Sequence, residues 1–229
     1  MSLLLPRVTP VGAPTVAGAV VGAALAATLL LLVAAEAAPT TAALAAAPTY
    51  ELDPSGSSLS FTATQQDAKF ESHFEKFTAV VRFDPAQPET GRIEAHIDLG
   101  SVDTGNPERD EVLKAADWFD FRQWPEAVFT ATRVVRAREG YAASGTLALR
   151  GVTRPVTLQF VWTPMADGQP ARLVGSAPLE RLAFGVGQGD WQDTAYVGNG
   201  VEVQVDIQLV PVQVSDKSVS ITGARQDVR

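Results

Sequence analysis

Val201-Glu202-Val203-Gln204-Val205-Asp206-Ile207-Gln208-Leu209 alternates apolar and polar residues at every step. Successive side chains of an extended chain point to opposite faces, so this run predicts a strand with one buried and one wet face. Moving outward from it, Val156, Leu158, Phe160 and Trp162 form a second stripe, broken on the other face only by Val161. Tyr141, Ala143, Gly145, Leu147 and Leu149 make a third, and Ile93, Ala95 and Ile97 a fourth. Leu59, Phe61 and Ala63 open the domain, followed by Phe77, Ala79, Val81 and Phe83. Turn residues separate the runs: Asp84-Pro85, Glu139-Gly140, Arg150-Gly151 and Asp167-Gly168. The spacing at Glu139-Gly140 and Arg150-Gly151 is that of hairpins and therefore of antiparallel neighbours. About eight strands result, a number at which a closed barrel either fills with side chains or holds one ligand. The expected fold class is all-β.

One helix interrupts the strands. Asn106 can cap it, Pro107 suits its first turn, and good helix formers continue to Ala116. Then comes Trp118-Phe119-Asp120-Phe121-Arg122-Gln123-Trp124-Pro125, too crowded with rings for a solvated loop and without strand alternation. This segment is expected to pack over one end of the barrel. Two arrangements stay open: a mouth wall that touches a ligand, or a plug that shuts the barrel.

The chain has 229 residues and a net charge of −8. Its start differs in composition from the rest, which leaves about 180 residues to fold, enough for a core that buries roughly 70% of the unfolded surface. The acidic balance excludes nucleic acid as a favoured partner. There is no cysteine, which removes disulfides, thiol nucleophiles and cysteine metal sites. His73 and His96 are the only histidines and are not at ligand spacing. No Gly-x-Ser-x-Gly elbow or triad is visible. Gly185-Val186-Gly187-Gln188-Gly189 lacks the following helix that a phosphate loop needs, and reads as a loop near the mouth. Asp98 and Asp103 lie at a strand end, as solvated carboxylates do. The residues thus predict no catalysis and no metal.

Val8 to Ala35 carries no charge, Arg7 precedes it, and Ala35-Glu36-Ala37 closes it with small residues. This is the pattern of a secretory signal cleaved after Ala37, with an uncleaved membrane anchor as the alternative. The expected organisation is a signal peptide over 1–37, an Ala/Pro/Thr linker over 38–49, a barrel over 50–211 and a polar tail over 212–229. The expected location is the periplasm.

Several stretches resemble the YceI-like family of periplasmic polyisoprenoid-binding proteins. They are Tyr50 to Phe61 (YELDPSGSSLSF), Phe74 to Pro85 (FEKFTAVVRFDP), Ile97 to Thr104 (IDLGSVDT), Arg109 to Phe129 (RDEVLKAADWFDFRQWPEAVF), Gly145 to Pro155 (GTLALRGVTRP) and Glu180 to Gly189 (ERLAFGVGQG). The resemblance spans residues 50–210 and departs at Gly56-Ser57-Ser58, where many relatives have His-Ser. It implies an antiparallel lipocalin-like barrel whose lumen holds an isoprenoid lipid, of quinone or polyprenyl type, with no cofactor required. Some relatives sit beside or are fused to b-type cytochromes, so a membrane cytochrome is a candidate partner, and a homodimer stays open.

The inward stripes and the aromatic segment supply the candidate ligand-binding residues: Phe61, Phe77, Val81, Ile93, Ala95, Trp118, Phe119, Phe121, Trp124, Phe129, Ala143, Leu147, Leu158, Phe160, Val203 and Val205. The small inward residues Ala63, Ala79, Ala95, Ala143 and Gly145 are expected to leave space. Arg109 with Asp110, and Arg150 with Arg154, read as salt bridges or turn contacts before headgroup contacts. Three functions follow: a carrier for an isoprenoid lipid, an enzyme or electron-transfer accessory acting on a quinone, or a stress-response barrel with a filled core.

Overall fold

The computed structural model describes residues 47–212; the leader, most of the linker and nearly all of the tail lie outside them. Ten strands run in the order β1 (Thr49–Gln65), β2 (Ala68–Phe74), β3 (Phe77–Arg82), β4 (Arg92–Asp98), β5 (Val102–Asp103), β6 (Glu126–Arg136), β7 (Tyr141–Leu149), β8 (Val152–Thr163), β9 (Ala171–Glu180) and β10 (Gly200–Pro211). All their pairings are antiparallel, and β10 returns to pair with β1, closing an eight-stranded barrel of β1, β3, β4 and β6 to β10. β2 and β5 extend the wall at one end, where β2 takes over from β3 as the neighbour of β1.

The alternating run that predicted a strand is β10, which pairs along its length with both β1 and β9. Arg150-Gly151 and Asp167-Gly168 both have positive φ at each residue, as a two-residue turn between twisted strands requires. Gln66-Asp67 adopts the same geometry, with φ of 48° and 60°, and joins β1 to β2 without a glycine to announce it. The barrel also starts earlier than the stripe at Leu59. Ala47 is buried, and Tyr50 and Leu52 already pack inward. A register shift between Asp53 and Ser58 hides this, because the bulge interrupts the alternation. Gly56, Ser57 and Ser58 belong to that irregularity: Ser57 Oγ donates to the Asp53 carbonyl and accepts from the Gln208 N–H at 2.9 Å.

The expected helix is α1 (Pro107–Leu113), shorter than the run to Ala116. Asn106 Oδ1 accepts from the Glu108 and Arg109 N–H groups at 3.0 and 3.1 Å, satisfying two of the free donors of the first turn. Asn106→Ala is expected to lower stability by about 1 kcal/mol, readable in thermal unfolding as a drop of a few degrees. An unchanged midpoint would show that other contacts hold the helix start.

The interior has two parts. At one end Phe83 lies against Tyr141, Phe160 and Trp162, with ring centroids 4.8, 5.6 and 5.1 Å away, all edge to face. Val81, Ala131, Val134, Ala143 and Leu209 complete this floor and have at most 0% exposure. The other end is built around Leu59, Phe61, Ile97, Trp118, Phe119 and Phe184. The alternatives of a filled and a hollow barrel therefore both describe this chain, at opposite ends.

Candidate ligand-binding lumen

Above the aromatic floor lies a cavity of about 410 Å³ with an almost wholly apolar wall. Its size is that of a small-molecule site. Each barrel strand contributes, because the inward residues of every strand point to the same axis. Of the residues singled out from sequence, Phe61, Phe77, Ile93, Ala95, Trp118, Phe119, Phe129, Leu147, Leu158, Val203 and Val205 line it. Ala63, Ala79 and Ala95 line it too and leave it room.

Five candidates are elsewhere. Val81, Ala143 and Phe160 face inward as expected but sit at the height of the floor, with 0%, 0% and 2% exposure. Phe121 stacks on Phe119 at 5.9 Å, behind the ring that meets the cavity. Trp124 packs on the β7–β8 turn, where a Cβ on Gly151 would lie 2.6 Å from its ring. Gly145 likewise makes no space in the lumen. A Cβ there would stand 2.2 Å from the Thr130 carbonyl, so the glycine permits a close approach of β6 and β7.

The cavity is roofed by two segments. One is α1 with the aromatic stretch after it, which turns at Asp120 (φ 50°). The other is the connection between β9 and β10, from which Phe184, Val186, Trp191 and Val197 reach the wall. Three arginines brace the roof through carbonyl groups. Arg150 donates to Ala116 O, Arg154 to Ala183 O at 3.2 Å, and Arg181 to the connection itself. Arg150 and Arg154 thus contact roof carbonyls, and neither makes the expected salt bridge among the described residues.

Arg181 was not legible as a site residue. Its Nε donates to Gly198 O (2.9 Å), Nη1 to Val186 O (3.0 Å) and Gly187 O (3.3 Å), and Nη2 to Trp191 O (2.7 Å) and Val197 O (2.7 Å). All five N–H donors of a guanidinium are therefore used. The residue is only 5% exposed, and no carboxylate among the described residues lies within ion-pair reach. Burial pushes its pKa below the ordinary value, although a guanidinium stays charged at any working pH. The signal in the sequence was the glycine run: a Cβ on Gly187 would stand 2.0 Å from Arg181 Nη1, so the loop closes around the cation only with glycine there.

Three wall residues are also exposed, Asn106, Glu108 and Val112, and all lie on α1 or its cap. The cavity therefore meets solvent along this helix. Arg109 is on the wall beside them, its guanidinium 4.1 Å above the Phe70 ring of β2. It makes no ion pair with Asp110, whose Oδ1 instead accepts from Thr104 N–H and Oγ1 at 3.0 and 2.7 Å. Alternation does not mark the start of β2, and Phe70 and Phe74 are wall residues outside the expected set.

The histidines are outside the lumen. His96 bridges Glu94 (2.9 Å) and Glu126 (3.1 Å) on the outer face, and these partners raise its pKa. His73 lies 3.5 Å from Asp103 and, with Glu75, in a solvated cluster. Asp98 and Asp103 accept N–H bonds from Gly100 and Gly105 at 2.9 and 2.7 Å, which accounts for both as turn residues.

Residues 50–209 match the YceI-like domain. Among curated proteins, a UPF0312 protein of Yersinia enterocolitica is 38% identical over 86 residues, 38% of this chain and 45% of that protein. Protein YceI of Salmonella arizonae is 36% identical over a stretch of the same length and coverage. The matched stretch spans less than half the length of these relatives. Among solved structures, Burkholderia cenocepacia BcnA is 30% identical with a TM-score of 0.65, covering 69% of this chain and 99% of that one. A polyisoprenoid binding domain from Saccharophagus degradans, implicated in plant cell wall breakdown, shares the fold at 16% identity and a TM-score of 0.55, covering 71% and 98%.

Proposed function

The chain belongs to the YceI-like family, and from that premise we propose that it carries an isoprenoid lipid, of quinone or polyprenyl type, in the lumen of its barrel. The observation that carries this reading is the apolar cavity, closed below by packed rings and open along α1. At the ~30 Å³ that a water takes up in the liquid, about 410 Å³ has room for roughly a dozen methylene-sized groups. Their burial is worth about 10 kcal/mol gross against water, at ~0.8 kcal/mol each. A longer chain runs out through the portal. Against a bilayer, where the tail is already in hydrocarbon, most of that gain vanishes, so the protein suits aqueous transit and release to membranes.

The reading includes export. The charge-free run Val8 to Ala35 and Ala35-Glu36-Ala37 support a periplasmic protein beginning at Ala38. The test of the whole is purification from the native periplasm, organic extraction and mass spectrometry. An isoprenoid lipid at near-stoichiometric amounts is expected. A protein with an empty lumen, or one holding only bulk phospholipid, would sink the reading.

A further inference from the structure

The cavity wall includes the charged or amide side chains of Gln65, Asn106, Glu108, Arg109 and Arg181. Three of these have little to offer a ligand atom inside the lumen. The donors of Arg181 are all taken up by carbonyls, Asn106 Oδ1 caps α1, and Glu108 is an exposed acceptor. Gln65 and Arg109 differ. Both are half-buried, and both keep donors free at the α1 end of the cavity.

Gln65 ends β1. Ala63 pairs with Phe70 and Gln65 with Ala68, so Gln65 lies one step beyond Phe70 on the same inward face. Its backbone is fixed where the hairpin meets the β9–β10 connection: Gln65 bridges Val197, and Gln66 N–H donates to Tyr196 O at 2.9 Å. Ser60 and Thr62, on the other face of the strand, hydrogen-bond to Gln204, whereas the Gln65 amide has no partner among the described residues.

Arg109 stands over that same Phe70 ring, its guanidinium 4.1 Å from the ring centre. Of its five N–H donors, one on Nη1 reaches the Thr104 carbonyl at 3.4 Å. No carboxylate among the described residues lies within ion-pair reach of it. A guanidinium cannot shed its charge, and a half-buried charge is costly without a partner. Glu108 precedes it in the chain but is exposed, where water and salt screen its charge. An anion is what this position lacks.

We propose that Arg109 and Gln65 form a head-group site at the portal that selects an isoprenoid lipid ending in an anion, a prenyl phosphate, over one ending in a quinone ring. This rests on the lumen reading and adds the head and its orientation to it. Guanidinium N–H groups match phosphate oxygens in parallel pairs, and the Gln65 amide adds an uncharged donor beside them. The isoprene units next to the head fill the lumen, and the excess of a longer tail leaves by the same portal.

Full-length, delipidated protein would be assayed by equilibrium dialysis against farnesyl phosphate, farnesol and a short-chain ubiquinone. The wild type is expected to bind farnesyl phosphate most tightly. Arg109→Met keeps an apolar stem over Phe70 and removes the donors. It is expected to bind farnesyl phosphate about tenfold more weakly or worse, the worth of a charge-assisted hydrogen bond, and farnesol as the wild type does. The farnesol arm also shows that the variant's lumen is intact. Gln65→Leu should cost farnesyl phosphate roughly threefold; unchanged affinity there would remove Gln65 from the site. Equal losses of farnesyl phosphate and farnesol in Arg109→Met, no loss of either, or a wild type that prefers the ubiquinone would overturn the proposal and leave the lumen reading standing. Inorganic phosphate at matching concentration should not displace farnesyl phosphate; if it did, the site would serve a free anion and the proposal would fall. Failure of the wild type to bind any of the three lipids would overturn the lumen reading itself.

Discussion

Arg181→Met is expected to lower the unfolding free energy by about 3–5 kcal/mol and to loosen the β9–β10 connection. The replacement keeps much of the side-chain volume and removes the buried charge. Removing that charge returns its desolvation cost, which is why burial pushes the Arg181 pKa down in the first place. What is lost is larger. Five carbonyl groups of residues 186 to 198 lose their shared donor at once, and each one left buried and unpaired costs ~1–3 kcal/mol. Water entering the loop relieves part of this, which leaves the effect among the large single-residue losses. Arg181→Lys keeps the charge with only three donors on a flexible stem, so its expected loss is similar or greater. Denaturant unfolding measures the loss, and hydrogen exchange at the Val186, Gly187 and Val197 amides locates it. Stability equal to wild type would show that the loop holds its shape without the cation.

The effect would reach the lumen, because Val186, Trp191 and Val197 belong to both the cation's cage and the cavity wall. In this fold a structural arginine and a binding wall share one loop. Apart from the glycine run that follows it, nothing in the sequence around Glu180-Arg181-Leu182 separates that residue from an ordinary surface arginine.

Much of the rest was legible, for reasons that also mark its limit. The alternation of β10, β8 and β7, the Arg150-Gly151 turn and the Asn106 cap are local rules, and the structure keeps them. Where a local rule is interrupted, the reading fails. The bulge between Asp53 and Ser58 hid the first half of β1, and a turn without glycine at Gln66-Asp67 hid the hairpin that joins β1 to β2. Alternation also carries no coordinate along the barrel axis. Ala143 and Leu147 face inward from the same strand, yet one is locked in the floor and the other lines the cavity. Likewise the four rings after α1 shared a single expectation and divide into wall, backing and turn clamp.

That missing coordinate gives a contrast between two substitutions that look equivalent in sequence. Ala95→Phe adds a ring at a position that pairs with Ala79 on one side and Phe129 on the other, all three on the cavity wall. The ring enters apolar space already there, so stability should change little, while the lipid recovered per folded molecule falls roughly tenfold or more, a change of at least ~1.4 kcal/mol in affinity. Ala143→Trp adds more bulk between Val134 and Leu158, where neighbours are packed and Ala143 has 0% exposure. Overpacking of this kind costs typically ~1–3 kcal/mol, and this is a large insertion, so the upper end or beyond is expected. The molecules that do fold should hold lipid as the wild type does, since the floor lies beneath the cavity. Thermal unfolding together with extraction and quantitation of lipid from both variants separates the two effects. If Ala143→Trp expelled lipid as strongly as Ala95→Phe while keeping its melting temperature, the floor would be part of the lumen, and the barrel would be hollow to its far end.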